Sequence, residues 1–376
     1  MLTPEERTRL ESFVERSTPG TPYRRRARIL LLSESGLPPE TIAGQVGASI
    51  TQTRNFLRAY QRQGLAIFPD RVLREPPPFS PDDLMSEVGR TLMAAQLPKI
   101  RSHETALRDE AEVTAVHETR KAIRRLNTAF QLFAPFFEEG ALTGYQKRFR
   151  KVMRRLGRSR DGAIFLGRLA TYLAETELPE ADRAALLELQ DYWQAQQAPA
   201  DQELRHYVGR KRYAALLDDF TTFTETAGLL AQSPAQPYAP RLARHHIPIV
   251  IYQHVAAARA YGADLDVTEL EHLHQLRIES KELRYTLQFF EPVLGPTAAE
   301  AIATVQAIQE QLGELNDARV ALAMLHQTAG CQEGVAVYRP VVQARVTQLH
   351  ESFPPVWAQF NDFAWRRDLA TAVSVL

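Results

Sequence analysis

The chain has 376 residues, 44% of them hydrophobic and 24% charged, which is typical of a globular protein with room for two or three domains. Its 45 basic and 45 acidic side chains cancel, so a site for a polyanion requires local segregation of charge. The single cysteine, Cys331, excludes an internal disulfide framework and predicts a reducing, cytoplasmic setting. The chain opens without a signal-peptide pattern, and no apolar run approaches the ~20 residues of a membrane span, so we expect no membrane partner.

Residues 1–70 predict a small helical domain. Thr3 and Glu6 fit a capping box with Pro4 in the first helical turn, and a second helix is predicted near residues 23–35. Helices over 38–46 and 49–63, separated by Gly47-Ala48, then predict a helix-turn-helix.

The second helix of this pair carries side chains suited to bases and phosphates. The predicted DNA-contacting set is Thr51, Gln52, Arg54, Asn55 and Arg58. The segments Arg26–Leu32 and Ile42–Ser49 resemble a homeodomain-like helix-turn-helix, in which the position of Thr53 is usually aliphatic. Such a domain binds DNA or docks a protein partner, and both readings stay open.

A proline-rich linker is predicted over residues 71–80, followed by a helical domain over 81–376. Ser80 and Pro81 predict the cap and first turn of a new helix. Pro199 and the segment 233–240 predict breaks between helices, and the domain divides into repeats at about 81–235 and 240–376.

Two copies of one pattern define these repeats. A helix headed by His117 leads to Leu156-Gly157-Arg158-Ser159-Arg160-Asp161, and a helix headed by His274 leads to Leu312-Gly313-Glu314-Leu315-Asn316-Asp317. We expect a turn at each Leu-Gly pair and a pseudo-symmetric pair of helical units. Apolar residues at helical spacing predict the two core stripes: Val116, Ile123, Leu126, Phe130, Phe133 and Phe137, and Leu273, Leu276, Leu283, Leu287, Phe290 and Leu294.

Cations lie beside each core stripe. The basic stripe of the first copy consists of His117, Arg120, Lys121 and Arg124, and that of the second copy consists of His274, Arg277, Lys281 and Arg284. The segment 145–160 adds basic side chains and no acid: Lys147, Arg148, Arg150, Lys151, Arg154, Arg155, Arg158 and Arg160. This pattern predicts a polyanion-binding surface. The alternative is a solvated basic face whose partners are acids on neighbouring helices.

The two histidine-headed helices and the Leu-Gly motifs resemble a CHAD domain, the conserved histidine α-helical domain. The resemblance implies an all-α fold of two pseudo-symmetric antiparallel four-helix bundles, preceded here by the helix-turn-helix, whose inner basic surface binds inorganic polyphosphate. Carried onto this chain, it adds Arg125 and Tyr285 to the candidate residues. Asn127, Glu282 and the apolar stretch 247–252 depart from the basic pattern of the family, which makes the first copy the stronger half.

Catalysis and metal binding receive little support from the sequence. The pair His245-His246 lacks the i, i+4 spacing of two metal ligands on one helical face. The chain contains no Walker A loop, no dinucleotide-binding turn and no Glu-x-Glu-x-Lys signature. Asp161 and Asp317 are interpreted as capping or ion-pairing groups rather than as an acid/base pair. We therefore expect no enzyme activity, cofactor or metal.

Three functional hypotheses remain. The first is a cytoplasmic, non-enzymatic protein that binds polyphosphate in a basic groove, associated with polyphosphate granules or the nucleoid and tethered to DNA or a partner by residues 1–70. The second is a DNA-binding regulator whose helical domain senses a phosphate ligand or dimerises. The third is a phosphohydrolase.

Overall fold

A computed structural model of the chain describes residues 2–17, 21–68, 77–233, 240–262, 265–267 and 269–376. Regular secondary structure in these ranges is helical, accompanied by isolated bridges at Leu84–Leu242 and Phe137–Ala231. The predicted all-α class is confirmed. The chain divides into two compact units, Met1–Pro77 and Pro78–Leu376.

The first unit contains the predicted helix-turn-helix. Its helices are α1 (Pro4–Arg16), α2 (Pro22–Glu34), α3 (Pro39–Val46) and α4 (Ile50–Gln63), followed by a 3-10 turn at Gly64–Ile67. Gly47 ends α3 in the left-handed region, with φ of 63°, which lets the chain reverse tightly. Ser49 then caps α4 in a capping box with Gln52, and Thr3 caps α1 in the predicted box with Glu6.

The second unit contains two series of helices. The first series is α5 (Met85–Ala94), α6 (Leu97–Arg101), α7 (Glu104–Asp109), α8 (Val113–Phe133), α9 (Thr143–Glu175), α10 (Glu180–Val208) and α11 (Lys211–Glu225). The second is α12 (Ala243–Arg259), α13 (Leu270–Phe290), α14 (Ala298–Gln327), α15 (Gln332–Asn361) and α16 (Phe363–Val373).

The pseudo-symmetry is visible in helix lengths. Helices α8 and α13 each have 21 residues, and each is followed by a 3-10 turn, at Ala134–Phe136 and Glu291–Val293. The helices that come next, α9 and α14, have 33 and 30 residues. Every residue of the two predicted core stripes is buried, and both stripes belong to one continuous core. The two bundles are therefore joined through their apolar faces.

The predicted helix start at Ser80 is wrong. Residues 80–83 form a turn in which the Ser80 N–H donates to the Asp83 carboxylate at 2.7 Å, and α5 begins at Met85. The backbone groups around Asp83 bond to the segment before α12 instead of to a helical turn. Met85 N–H donates to Arg241 C=O, and Ala243 N–H donates to Asp83 C=O. Pairing with the entry to the second repeat therefore delays the helix.

The predicted turns at the two Leu-Gly pairs are also wrong, because Gly157 and Gly313 lie inside the continuous helices α9 and α14. The break predicted at Pro199 is absent as well, since α10 continues through it. Leu189 and Leu204, on either side of this proline, are fully buried. Packing along the length of α10 therefore outweighs the local cost of the proline, about 3 kcal/mol in an isolated helix.

Candidate polyanion-binding surface

Helices α8 and α13 position the candidate cations by burying the stripe next to them. Ile123 and Leu126 in α8, and Leu276 and Leu283 in α13, are inaccessible to solvent. The adjacent basic side chains must then lie at the edge of the core, with apolar stems against the bundle and charged ends toward solvent. The sequence pattern predicts this placement, but it leaves open which cations converge.

Four arginines from three helices form a central arginine cluster: Arg120 and Arg124 of α8, Arg160 of α9 and Arg277 of α13. Burial lowers the pKa of Arg120 to about 10, and repulsion from Arg124 and Arg160 adds to this effect. Burial also lowers the pKa of Arg277, with further repulsion from Arg124 and Arg160. Because guanidinium groups stay protonated at neutral pH, these depressed pKa values express an electrostatic cost that a bound anion relieves.

Arg160 and Asp317 connect the two Leu-Gly motifs across the bundles. The Arg160 guanidinium donates from Nη1 to Oδ1 at 3.3 Å and from Nη2 to Oδ2 at 3.0 Å, a bidentate arrangement. Each side chain is only 17% exposed. Arg160 also approaches the Asp161 carboxylate at 3.4 Å. The interpretation of Asp317 as an ion-pairing group is therefore correct, and the pair fixes the position of Arg160.

Gly157 provides the space in which Arg120 lies. A Cβ atom on Gly157 would be 2.9 Å from the Arg120 Nη1 atom, whereas a Cβ on Gly313 would meet nothing within 4 Å. A side chain at Gly157 would therefore displace the end of the Arg120 side chain, whereas one at Gly313 would displace nothing within 4 Å. This difference makes the site asymmetric, with the first copy more closely packed around its cations.

Several guanidinium Nε atoms on this surface are buried and unpaired. Those of Arg120, Arg160 and Arg277 have no hydrogen-bond partner among the residues that the structure describes. The same holds for Arg125 and Arg284 nearby. Buried donors without acceptors are uncommon in folded proteins and cost free energy, which adds to the unfavourable electrostatics of this surface.

A basic groove extends from Arg120 along α9. It encloses about 620 Å³, and it is lined by Arg120, Lys147, Arg150, Lys151, Met153, Arg154 and Gly157. We call this the α9 groove. Arg150 belongs to the predicted basic run, and its i, i+3 spacing to Lys147 places it on the same face.

Other cations of the same run face acids instead. Arg148 pairs with Asp219 of α11 at 2.9 Å. Arg155 and Arg158 share Glu203 of α10, at 3.3 and 2.6 Å. For these side chains the alternative holds, in which the basic face is paired with acids on neighbouring helices.

The part of the surface contributed by α13 surrounds a buried tyrosine. Tyr285 is 1% exposed, and the Arg125 and Arg284 guanidinium carbons lie 5.8 and 4.9 Å from its ring centroid. Arg125 also donates from Nη2 to Gln288 at 2.6 Å. Tyr285 thus supports the arginines through cation–π contact from inside the bundle.

The remaining candidates lie at the margin of the surface. His117 is 58% exposed, and Lys121 lies 3.5 Å from the Glu118 carboxylate. Burial lowers the pKa of His117, Glu118 opposes this, and the cations Arg160, Lys121 and Arg124 lower it further. Lys281 pairs with Glu282 at 3.2 Å, and His274 is exposed.

Sequence reasoning missed Lys99, which belongs to the short helix α6. Burial lowers the pKa of Lys99, and the neighbouring cations Arg125 and Lys121 lower it further. Lys99 therefore lies near these cations, although it belongs to neither copy of the histidine and Leu-Gly pattern. No local pattern could have identified it, because it is separated from Lys121 by the whole of α7 and the start of α8.

In the N-terminal unit, the candidate DNA-contacting residues all lie on the exposed side of α4. Thr53 is completely buried, and its hydroxyl donates to the Ser49 carbonyl at 3.1 Å. Arg54 pairs with Glu40, and Arg58 donates to the Asn55 side chain at 2.7 Å. Thr53 is therefore accommodated in the core by a local hydrogen bond.

The described ranges hold no group of three or more histidine, cysteine or acidic side chains placed to bind a metal ion. Nor do those ranges include a helix with the length and apolarity needed to cross a membrane.

The fold and the surface define an all-helical, two-bundle protein with cations gathered on a face between the repeats. The CHAD domain family matches residues 91–326, and the homeodomain-like domain family matches residues 22–67. The chain therefore belongs to the CHAD domain family and carries an N-terminal homeodomain-like domain. A comparison with curated proteins gave no match.

Two solved structures share the fold. The CHAD domain from the plant Ricinus communis superposes with a TM-score of 0.58 at 23% identity, covering 79% of this chain and 95% of that one. PptA from Streptomyces chartreusis superposes with a TM-score of 0.52 at 17% identity, covering 73% of this chain and 99% of that one.

Proposed function

We propose that the protein binds inorganic polyphosphate through the central arginine cluster and the α9 groove, without catalysing a reaction. The observation that carries this proposal is the convergence of four guanidinium groups from α8, α9 and α13 with only partial compensation by acids. The resemblance of the chain to CHAD domains supports polyphosphate as the polyanion. Its flexible chain of phosphates supplies closely spaced acceptors for the guanidinium groups of this cluster.

The residues proposed to contact the polymer directly have charged ends with no acidic partner in ion-pair range among the described residues. They are Arg120, Arg124 and Arg277 of the cluster and Lys147, Arg150, Lys151 and Arg154 of the α9 groove. His117, Lys121, Arg125, His274, Lys281 and Arg284 extend this surface on α8 and α13. Arg160 is proposed to bind while held by Asp317, and Tyr285 to support Arg125 and Arg284.

The test is a titration of the full-length protein with fluorescent long-chain polyphosphate at several salt concentrations, in competition with single-stranded DNA of equal charge. We expect affinity to fall with salt at a log–log slope of ~0.7 per neutralised charge. Arg124→Ala and Arg277→Ala should each weaken binding by about tenfold and flatten the slope.

Arg148→Ala is the matched control, because Arg148 lies on α9 but pairs with Asp219. Its affinity should stay within about twofold of the wild type. Equal losses in the control and the two cluster variants would refute the assignment of the site. Equal competition by single-stranded DNA would refute the preference for polyphosphate.

A second activity is proposed for residues 1–70, namely tethering to DNA or to a protein partner. The capped helix α4 supports it, because Thr51, Gln52 and Asn55 are exposed along one side. The expected result is duplex DNA binding by the full chain that is weakened by Asn55→Ala and unaffected by Arg277→Ala. The proposal is contradicted if Arg277→Ala loses duplex binding while Asn55→Ala retains it, because DNA would then bind the helical domain and not residues 1–70.

The regulator hypothesis differs in predicting communication between the two activities. Saturating polyphosphate should leave duplex DNA affinity unchanged if the first unit is a tether, and should change it if the helical domain is a sensor.

The non-enzymatic part of the proposal is tested by phosphate release from polyphosphate with and without Mg²⁺, for which we expect no signal above the protein-free control. We propose the cytoplasm, at polyphosphate granules or the nucleoid, as the place of action.

A further inference from the structure

A separate cavity lies between α9 of the first repeat and α14 and α15 of the second. It encloses about 700 Å³, within the ~300–1,000 Å³ typical of small-molecule sites. Its walls are largely apolar, with Phe165 and Tyr172 on α9, Ala318 and Ala321 on α14, and Val341 and Val342 on α15. The two alanines leave this space open, because larger side chains at their positions on α14 would fill it.

Tyr338 of α15 is a buried polar residue in the wall of the cavity. It is only 4% exposed, and its ring packs edge-on against Phe165 at 5.9 Å and tilted against Tyr172 at 5.6 Å. Its hydroxyl has no hydrogen-bond partner within the described part of the chain. Burial raises the pKa of Tyr338 to about 12, so the hydroxyl remains a hydrogen-bond donor at neutral pH.

The charges around the cavity are mostly paired with one another. Asp161 and Asp317 hold Arg160, and Glu314 holds Arg345. Two lining charges are left without an ion pair among the described residues, Arg168 and Glu175. Glu175 is exposed at the end of α9, where water solvates it. Arg168 is half-buried and close enough to the Tyr338 hydroxyl to oppose the rise in its pKa.

We propose that this cavity binds a small organic molecule with an aromatic or aliphatic body and one acidic head group. The head group accepts hydrogen bonds from the Arg168 guanidinium and the Tyr338 hydroxyl, which have no polar partner among the described residues. The body lies against Phe165, Tyr172 and the alanine and valine side chains. A bare polyphosphate chain does not fit this description, because it has no apolar part to place on these walls.

The chemistry of the two donors selects an anion. A buried hydroxyl and a guanidinium both donate, and a carboxylate, sulfonate or phosphate monoester supplies two or more acceptors to one head group. A ligand with a positive head group would meet Arg168 at close range, and a neutral one would leave its charge unpaired. The site is therefore distinct in ligand class from the polyanion surface, and the inference does not depend on the proposed polyphosphate binding.

The experiment uses two fluorescent probes of similar shape with the full-length protein. 1-Anilinonaphthalene-8-sulfonate carries an acidic group, and N-phenyl-1-naphthylamine is its neutral counterpart. We expect one site per chain that prefers the sulfonate by about tenfold, the contribution of a charge-assisted hydrogen bond. In Arg168→Gln this preference should disappear, and in Tyr338→Phe it should fall by a smaller factor. Ala321→Leu should abolish the binding of both probes by filling the cavity.

Three controls separate this site from others. Arg339→Gln, on the exposed side of α15, should leave both affinities unchanged. Arg277→Ala should also leave them unchanged, which excludes binding of the sulfonate at the central arginine cluster. Thermal unfolding of each variant should match the wild type to within a few degrees.

The proposal is overturned if both probes bind Ala321→Leu as well as the wild type, or if the sulfonate preference survives Arg168→Gln. It is also overturned if sedimentation shows that the wild type dimerises and excludes the probes from this face. In that case the cavity is an interface between two copies of the chain.

Discussion

Replacement of Asp317 by asparagine is expected to change stability and polyanion affinity in opposite directions. Asp317 accepts two hydrogen bonds from Arg160, and both side chains are largely buried. Asparagine retains one acceptor oxygen, so the variant loses one charge-assisted hydrogen bond and the neutralising charge. We expect the free energy of unfolding to fall by about 2 kcal/mol. For a unit of this size that corresponds to a decrease in Tm of roughly 3 °C.

The same change should increase the affinity for polyphosphate. Without the carboxylate, Arg160 faces Arg120, Arg124 and Arg277 with less compensation, and a bound anion relieves the repulsion. We expect the affinity to rise about fivefold and the salt slope to steepen by ~0.7, which corresponds to one more neutralised charge. Polyphosphate should also raise the Tm of the variant more than that of the wild type.

The assays are denaturant unfolding for stability and the polyphosphate titration for affinity. Asp218→Asn is the control, because Asp218 pairs with Arg101 at 2.9 Å but is 69% exposed, and such pairs contribute at most ~1 kcal/mol. Our reasoning is refuted if Asp317→Asn destabilises the protein no more than Asp218→Asn does. It is also refuted if the variant binds polyphosphate more weakly, since Asp317 would then be needed to shape the site.

Three further predictions concern other parts of the chain. Gly157→Ala should displace Arg120 and weaken polyphosphate binding several-fold without loss of helix stability, whereas Gly313→Ala, which has open space, should bind like the wild type in the same titration. Burial, and then nearby cations, lower the pKa of His117 in the free protein, and a bound polyanion should raise it, so affinity should increase as pH falls from about 8 to about 6. His117→Asn should flatten this pH profile, and an unchanged profile would exclude His117 from the site. Ser49→Ala removes the cap of α4 and should lower the stability of the N-terminal unit by about 1 kcal/mol, measured by circular dichroism.

Local patterns in the sequence were sufficient for much of the fold. The capping boxes at Thr3 and Ser49 are present, and the periodic apolar residues of α8 and α13 are buried. Predictions from isolated glycine and proline residues were less successful. Gly157 and Gly313 do not make turns, and Pro199 does not end α10, because packing of these long helices against their neighbours outweighs local preference.

The predicted stripes also left the composition of the site undecided. Arg148, Arg155 and Arg160 look alike in one basic run, but Asp219 and Glu203 pair with the first two and Asp317 orients the third. Lys99 lies near these cations, although neither the predicted stripes nor the basic run contains it. The acidic partners lie more than 40 residues away in sequence, so helical periodicity carries no information about them.

The sequence by itself determined that the protein is helical, that the large domain is a repeat, and that cations follow each buried stripe. These properties depend on interactions within one helix, and spacing along the chain records them directly. Only the tertiary structure decided which cations converge, which acids neutralise the others, and where a cavity remains between α9, α14 and α15. Those outcomes depend on side chains brought together from helices distant in sequence, because burial and Coulomb energy are set by separation in space.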